Sequence, residues 1–334
     1  MRASLLALSS VVVLAPSIAL ATTKARITVT CPVCQEKVEG WTIMSTNNAG
    51  GQDRDFLEWA GGDQPIIYYP ITCTSCWYSG YQDDFAAETK VPEDVAKRIR
   101  DEQVLKPIEE PVSGPPEAWV RYDLVAQTYT LTGKGHGLLA WQYLRGAWAV
   151  RIEKARLAGP TDRDTQKAVM AWMDRWEPPG GERKGPAQVE LLLAAECETM
   201  LAEAKGEDGR IPAMVAILLY RTHGENTAAL RVLAAAKVQL GDAMAASLQE
   251  ELPLQIEQER ALQRKALAEF EAAVPKEKDP GEQAGMTYLC GELCRRLEEW
   301  DRARAFYDSA QALPGAADWL KEWCREQAAL IPAK

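Results

Sequence analysis

The spacing of apolar residues changes near residue 90, and this change divides the chain into two predicted parts. Ile27 and Val29 alternate with polar neighbours, which predicts a half-buried strand. The run 66–69 is rich in β-branched and aromatic residues and predicts a second strand. Beyond residue 110, apolar residues recur every three or four positions, as they do in amphipathic helices. We therefore expect a small β head followed by a mainly α body.

The helical pattern breaks at clusters of proline and glycine, and these breaks give the predicted elements. Helices are expected over 91–105, 118–129, 138–156, 162–176, 186–205, 211–222, 225–239, 242–273, 282–297, 301–312 and 316–330. The helix over 242–273 contains Pro253 and is expected to be interrupted there. Segment 106–116 holds four prolines and one glycine, which predicts a linker and a domain boundary.

One segment and two single residues are also predicted to face solvent. Segment 45–63 is rich in Asn, Gly and Asp, and this composition is typical of a surface loop. The two histidines of the chain, His136 and His223, both fall between predicted helices. We expect each to be a solvated turn residue rather than a catalytic base.

The N-terminus has the composition of an export signal. Arg2 precedes an apolar run over 4–15, and Ala19-Leu20-Ala21 provides small residues at the positions that a signal peptidase reads. This pattern predicts a signal peptide over 1–21 and a periplasmic or secreted protein; an uncleaved anchor is the alternative. The 334-residue chain has a formal net charge of −10, which argues against nucleic acid and anionic membranes as partners.

Candidate chemistry is concentrated in two Cys-x2-Cys pairs, Cys31 with Cys34 and Cys73 with Cys76. Four thiolates on two tight turns match the tetrahedral coordination of structural zinc. Disulfides and a redox-active pair remain open as alternatives, and an oxidising compartment would favour disulfides. Haem attachment is excluded because a histidine does not follow either pair.

The other four cysteines lie on predicted helices among apolar neighbours. These residues are Cys197, Cys290, Cys294 and Cys324. Free cysteine behaves as a small hydrophobic residue, so we expect all four to pack in the core. A disulfide between Cys290 and Cys294, or from either to Cys324, remains possible because Cys290 and Cys294 are one helical turn apart.

Small and large residues alternate along the last helices at the spacing of a tetratricopeptide repeat. The positions are Gly291, Cys294, Trp300, Ala303, Tyr307, Ala310 and Pro314. Cys294 and Glu298 depart from the repeat pattern, which usually has an aromatic and a glycine there. Two degenerate copies follow a similar spacing, around residues 126–147 and 220–236. The pattern predicts an α-solenoid of tetratricopeptide-like hairpins, and a generic helical bundle is the alternative.

The chain resembles an uncharacterised bacterial family, domain of unknown function 2225. The shared features are an early Cys-Pro-x-Cys, a second Cys-x2-Cys followed by aromatic residues and Asp84-Phe85, and a helical region ending in a repeat like segment 288–297. The resemblance covers residues 26–330 and implies zinc-ribbon-like ligation by Cys31, Cys34, Cys73 and Cys76. It implies no activity. The export signal is a departure, since members of such a family are expected to be largely cytosolic.

These patterns together predict a domain order and a function. The expected order is a signal peptide (1–21), a zinc-ribbon-like domain (26–86), a connecting helix (87–105), a Pro-rich linker (106–116) and a tetratricopeptide-like domain (117–330). The chain lacks a Gly-x-Ser-x-Gly, a His-Glu-x-x-His and a dinucleotide fingerprint. We expect a non-enzymatic exported scaffold that binds a protein or peptide on its helical surface. An envelope thiol–disulfide oxidoreductase or redox sensor is the alternative.

Overall fold

The structure is a computed structural model that describes residues 22–154, 186–204 and 206–333. The predicted signal peptide and the predicted helix over 162–176 lie outside these residues. The described chain is mainly helical and carries a small β region at its N-terminal end. This arrangement confirms the expectation of a mainly α chain with a small β region at its N-terminal end.

Two small antiparallel sheets form the head. Strands β1 (Thr23–Thr30) and β2 (Lys37–Ser45) pair along their whole length, with Val29 opposite Val38. Strands β3 (Ile71–Thr72) and β4 (Ser79–Gly80) form the second sheet. The strand predicted over 66–69 was wrong, because Pro65–Tyr68 is a turn of 3-10 helix. Proline at the start of this turn fixes a helical φ and offers no N–H to a strand ladder.

Eleven α-helices occupy the described residues. They are α1 (Glu93–Asp101), α2 (Ala118–Leu131), α3 (His136–Lys154), α4 (Pro186–Glu203), α5 (Arg210–Thr222), α6 (Asn226–Ala235), α7 (Lys237–Leu240), α8 (Asp242–Ala273), α9 (Pro280–Arg296), α10 (Trp300–Ala312) and α11 (Asp318–Ala329). Short 3-10 turns lie at Gln82–Phe85, Gly206–Gly209 and Val274–Lys276. The predicted helices agree with these bounds to within a few residues, except that the first is shorter and the one over 225–239 divides into α6 and α7.

Helix α8 joins two hydrophobic cores. Its N-terminal half, from Met244 to Ile256, packs in a core with α4, α5 and α6. Its C-terminal half, from Leu262 to Ala273, packs in a second core with α2, α3 and α9. The expected interruption at Pro253 was wrong, since the helix runs through it. Pro253 and the residue one turn earlier, Gln249, are both exposed, so water can satisfy the carbonyl that loses its partner.

The head and the helical body share the second core. The Arg121 side chain of α2 donates to the carbonyls of Ile67 and Pro70 at 2.7 and 2.5 Å. The hydroxyl of Tyr122 donates to the carbonyl of Ile66 at 2.8 Å. These contacts place the 3-10 turn of the head directly on α2.

None of the described helices is both long enough and apolar enough to cross a membrane.

Helices α9 and α10 form a close hairpin at the C-terminal end of the body. Cys294, Ala303, Tyr307 and Ala310 of the predicted repeat pattern are fully buried in it. Gly291 allows the helices to approach, because a Cβ atom there would lie 2.7 Å from the Tyr307 ring. The small-and-large spacing in the sequence therefore corresponds to real packing between these two helices.

Gly291→Ala and Gly285→Ala provide a matched test of this packing. Both glycines lie in α9, so both substitutions gain the same helix propensity. A Cβ at Gly285 meets only Phe56 at an ordinary 3.9 Å, whereas one at Gly291 overlaps Tyr307. We expect Gly291→Ala to be less stable than Gly285→Ala by about 1–3 kcal/mol in denaturant unfolding. Equal stabilities would contradict the close contact.

Candidate metal centre and buried ion network

Two similar turns present the four cysteines of the head. In the first, the backbone N–H of Gln35 donates to the carbonyl of Cys31 at 3.0 Å. In the second, the N–H of Trp77 donates to the carbonyl of Cys73 at 2.7 Å. Gln35 and Trp77 adopt left-handed φ values of 66° and 63°. Such a conformation costs non-glycine residues on the order of 1 kcal/mol or more, so the surrounding structure holds these turns in place.

The two turns bring the four sulfur atoms together. All four Sγ atoms lie within 4.8 Å of one another. The Cys31–Cys76 and Cys34–Cys73 sulfur distances are 3.6 and 3.4 Å. Tetrahedral zinc with bonds of about 2.3 Å requires sulfur atoms about 3.8 Å apart, so the cluster has nearly the dimensions of a zinc site. All eight cysteines are free thiols, so the structure contains none of the disulfides left open from the sequence.

The electrostatics of the cluster favour a cation. Hydrogen bonds among the thiols lower the pKa of Cys73 to about 2 and raise that of Cys31 to about 12. The same contacts raise the pKa of Cys76. Neighbouring thiolates repel one another in a buried site, so the four sulfurs cannot all ionise without a positive ion between them. Zinc is the divalent metal that four thiolates select best.

The aromatic residues after the second cysteine pair occupy three different environments. Tyr78 is buried in the same core as Cys31 and Cys76, with its ring 5.2 Å from that of Phe85. Trp77 is partly buried against this core. Tyr81 instead reaches α3, where its hydroxyl lies 2.6 Å from Gln142.

The remaining cysteines pack as small hydrophobic residues, as predicted. Cys197, Cys290, Cys294 and Cys324 are fully buried. Burial raises the pKa of Cys197, Cys294 and Cys324 to about 12. A protonated, buried thiol is a poor nucleophile, so these residues are suited to packing rather than to exchange chemistry.

The expectation that segment 45–63 is a surface loop was wrong for its centre, although its two ends are exposed as predicted. Residues 50–59 form a short hairpin, which we call the finger. Its arms are joined by hydrogen bonds between Gly50 and Trp59 and between Gly51 and Trp59. The N–H of Asp53 donates to the carbonyl of Leu57 and closes the tip. The tip enters the helical body, so that Asp53 and Asp55 are buried.

Asp55 binds two helices of the body. It accepts a hydrogen bond from the Trp148 indole of α3 at 3.0 Å and forms an ion pair with Arg151 of the same helix. Arg296 at the end of α9 lies 3.7 Å from the same carboxylate oxygen. Burial opposes the ionisation of Asp55, but the two guanidiniums outweigh it and hold the pKa of its carboxyl below the usual range.

His223 is also part of this site, and its expected place in solvent was wrong. It follows α5 with a side chain only 2 % exposed, and its Nδ1 and Nε2 atoms lie 2.6 Å from Asp53 and 2.8 Å from Glu190. Burial disfavours the charged ring, but Asp53 and Glu190 outweigh it and raise the pKa of His223 to about 9. His136 begins α3 rather than lying in a turn, but it stays 43 % exposed beside Glu269, so the predicted exposure is confirmed for that residue.

Further buried ion pairs extend the network between the two cores. Glu259 of α8 lies 3.0 Å from the Arg151 side chain and pairs with Arg221 of α5. Glu292 of α9 accepts from Arg296 at 2.8 Å and from the hydroxyl of Tyr307 at 2.8 Å. A buried charge must be paired to be tolerated, so these contacts fix five helices and the finger relative to one another.

Sequence reasoning missed this network because its members are far apart in the chain. Asp55 precedes Arg151 by 96 residues, so no local spacing connects them. A local signal was the cluster of apolar residues Phe56, Leu57 and Trp59 inside a segment that was otherwise predicted to be solvated.

One known family matches part of the chain. A family model described as an uncharacterized protein conserved in bacteria (DUF2225) matches residues 25–177. The match includes all four clustered cysteines and the finger, and it ends before α4. No curated protein and no solved structure matches the chain.

Asp55→Ala tests the buried ion network. It would leave Arg151 and Arg296 without the carboxylate that they share, and breaking a buried pair in this way costs about 3–5 kcal/mol. Asp63→Ala is the matched control, because Asp63 pairs with Lys24 but is 56 % exposed. Its loss should cost about 0–1 kcal/mol. Denaturant unfolding of the two variants measures the difference, and similar losses would contradict the network.

His223→Gln tests the pH dependence of the network. The ring has a pKa of about 9 in the folded chain and about 6.5 when unfolded, so its stabilising contribution is complete below pH 6.5. This contribution is lost as the pH rises through 9. The stability of the natural protein relative to the variant should therefore fall by about 3 kcal/mol between pH 6 and pH 10.

The matched control for this experiment is His136→Gln, at the exposed histidine. Its stability relative to the natural protein should differ by less than about 1 kcal/mol at either pH. A pH-independent difference for His223→Gln would show that the ring contributes packing alone.

Proposed function

We propose that the protein is a non-enzymatic interaction scaffold in which structural zinc stabilises the head on a helical body that binds a protein partner. The observation that supports it is the cluster of four free thiols within 4.8 Å, at Cys31, Cys34, Cys73 and Cys76. Four protein ligands leave tetrahedral zinc no open position for water or substrate. Such an ion holds a fold together rather than catalysing hydrolysis.

The environment of the histidines supports the same proposal. Both ring nitrogens of His223 face carboxylates, Asp53 and Glu190, so neither nitrogen is available to a substrate. His136 lies 2.6 Å from Glu269 at the start of α3. A general base must reach the proton that it removes, and these contacts favour structural roles instead.

The partner-binding part of the proposal assigns a tetratricopeptide-like stack to the helical body. The close α9–α10 hairpin, with Gly291 against Tyr307, supports it. Stacked hairpins of this kind form a curved surface that typically binds peptides. The acidic balance of the chain is compatible with a protein partner and unfavourable for nucleic acid.

We also propose that the mature protein is exported after cleavage behind Ala21. The apolar run over 4–15 and the small residues before Thr22 support this proposal. N-terminal sequencing of the natural protein from fractionated cells tests it: a start at Thr22 in an envelope fraction is expected, and an intact Met1 in the cytosol would contradict it.

Replacing two cysteines tests the metal centre. Cys31→Ala with Cys73→Ala should abolish zinc binding and expose residues 26–86 to protease, since structural zinc supplies about 10–16 kcal/mol of apparent binding free energy in small domains. Cys197→Ala, in the other core, is the control and should retain one zinc ion. Native mass spectrometry measures the metal. A double variant whose head remains protease-resistant would contradict the zinc-stabilised head.

A thiol–disulfide oxidoreductase is the second candidate, and one observation favours it. Cys34 is the one partly exposed member of the cluster, and exchange chemistry requires an accessible thiol. This candidate predicts turnover in a disulfide-reduction assay. It also predicts a purified protein lacking metal and lighter by two hydrogens per cysteine pair. The scaffold predicts no turnover and a zinc-loaded mass.

A further inference from the structure

The short sulfur contacts of the cysteine cluster join one turn of the head to the other. The Sγ atoms of Cys34 and Cys73 are 3.4 Å apart. Those of Cys31 and Cys76 are 3.6 Å apart. In both contacts one cysteine belongs to the turn between β1 and β2, and the other belongs to the turn between β3 and β4. Each cysteine therefore has a near sulfur neighbour outside its own Cys-x2-Cys pair.

Cys34 is the member of the cluster that a dissolved reagent can reach. It is partly exposed, whereas the other three cysteines of the cluster are buried, with at most 5 % of their surface accessible. Exchange with a dissolved oxidant starts at an accessible thiol. The buried thiol placed to complete the exchange is Cys73, because its sulfur lies 3.4 Å from that of Cys34.

Contacts outside the sulfur atoms hold the two turns at this separation. Each turn is closed by a 2.9 Å backbone hydrogen bond from the N–H of its first cysteine, Cys31 or Cys73. Gly40 of β2 lies against Ile71 of β3, so closely that a Cβ atom at Gly40 would be 2.9 Å from the Ile71 side chain. The backbone and the apolar packing of the head therefore place the sulfurs of Cys34 and Cys73 beside each other.

We propose that Cys34 and Cys73 form a redox modification site that regulates metal binding by the head. In the metal-free protein, a low-molecular-weight disulfide oxidises this pair, and the new bond links the two turns in place of a metal ion. Metal and disulfide exclude each other, because the same two sulfur atoms serve both. The modification occurs once per chain, unlike the turnover of an oxidoreductase. This inference rests on the proposed metal centre and names how oxidation regulates it.

The oxidation proceeds by two exchange steps. The Cys34 thiolate attacks one sulfur of the external disulfide, forms a mixed disulfide and releases the first external thiolate. The Cys73 thiolate then attacks the Cys34 sulfur, forms the bond between the turns and releases the second external thiolate. The protons of the two cysteines end on the two released thiols. Two cysteine thiols are thus oxidised, and one external disulfide is reduced to two thiols.

The second short contact is expected to remain reduced in the folded protein. Cys31 and Cys76 are 0 and 5 % exposed, so an external disulfide does not reach either sulfur. The folded chain should therefore lose two hydrogens rather than four. In an unfolded chain, the four cysteines of the cluster have several alternative pairings. A single bond at a single pair of residues is the signature of the folded geometry.

Disulfide mapping of the natural chain tests the proposal. A strong zinc chelator and oxidised glutathione are added together to the folded protein, and the remaining thiols are then alkylated. Trypsin cleavage without reduction places the first cysteine pair in peptide 27–37 and the second pair in peptide 55–90. We expect these two peptides to be joined by one disulfide, which fragmentation in the mass spectrometer locates at Cys34 and Cys73.

Oxidation of the same chain in denaturant is the control for this map. The unfolded chain lacks fixed sulfur contacts, so a mixture of bonds within and between the cysteine pairs is expected there. A bond within either Cys-x2-Cys pair of the folded protein would overturn the proposal. The same mixture in the folded and the denatured samples would overturn it as well.

Two matched variants identify the cysteine that completes the exchange. Cys73→Ser removes this thiol and should leave one glutathione attached to Cys34. Cys31→Ser keeps it and should lose the glutathione as the bond between the turns forms. Glutathione retained by Cys31→Ser and released by Cys73→Ser would assign the reaction to the first cysteine pair and contradict the proposal. The map of the natural chain decides the question if either substitution unfolds the head.

Zinc content, measured by native mass spectrometry, separates this inference from the metal centre. Without chelator, the zinc-loaded protein should keep its metal and its four cluster thiols in oxidised glutathione. The oxidised chain should bind no zinc until it is reduced, and zinc binding by the oxidised chain would refute the regulation. A Cys34–Cys73 bond in a protein that never holds zinc would refute the zinc-stabilised head and leave the oxidation site assigned. Zinc binding together with oxidation within the pairs would refute the oxidation site alone.

Discussion

The pairing of one buried carboxylate with two arginines is the constraint on which the arrangement of the chain depends. Asp55 lies in a segment between the cysteine pairs, whereas Arg151 and Arg296 lie on helices far along the sequence. An unpaired charge in this position would be expensive, so the finger and both helices must be placed together or not at all. Glu259, which also pairs with Arg151, extends the same requirement to α8, the helix that links the two hydrophobic cores.

The cysteine cluster constrains the two ends of the same segment, because the segment connects Cys34 to Cys73. The head has two small two-stranded sheets, and such a structure rarely supplies enough buried area to be stable alone. Two features compensate for this deficiency: the core that the head shares with α2, and a cluster whose dimensions suit a zinc ion. The left-handed φ values at Gln35 and Trp77 show that the surrounding structure, rather than local preference, determines the backbone of these turns.

These two constraints explain why the cysteine pairs are separated by an unusually long segment. A compact four-cysteine site needs only a short connection between its pairs. The segment here contains both the finger, which enters the helical body, and the 3-10 turn at Pro65–Tyr68, which packs on α2. The segment between the cysteine pairs therefore attaches the head to the body at two places, and the two parts meet through specific polar contacts as well as through apolar packing.

The sequence by itself determined what depends on local spacing. Periodicity predicted most helices and strand β1, and two Cys-x2-Cys pairs predicted the thiol cluster, because neighbouring thiols within a turn need few other constraints. The tertiary structure alone decided the roles of Asp55 and His223 and the continuity of α8 through Pro253. Local composition marked these three positions as loop, turn and break. For Asp55 and His223, partners about a hundred or more residues away supplied the charge pairing that outweighed it. For Pro253, packing of α8 on both cores and exposure of the free carbonyl to water outweighed it.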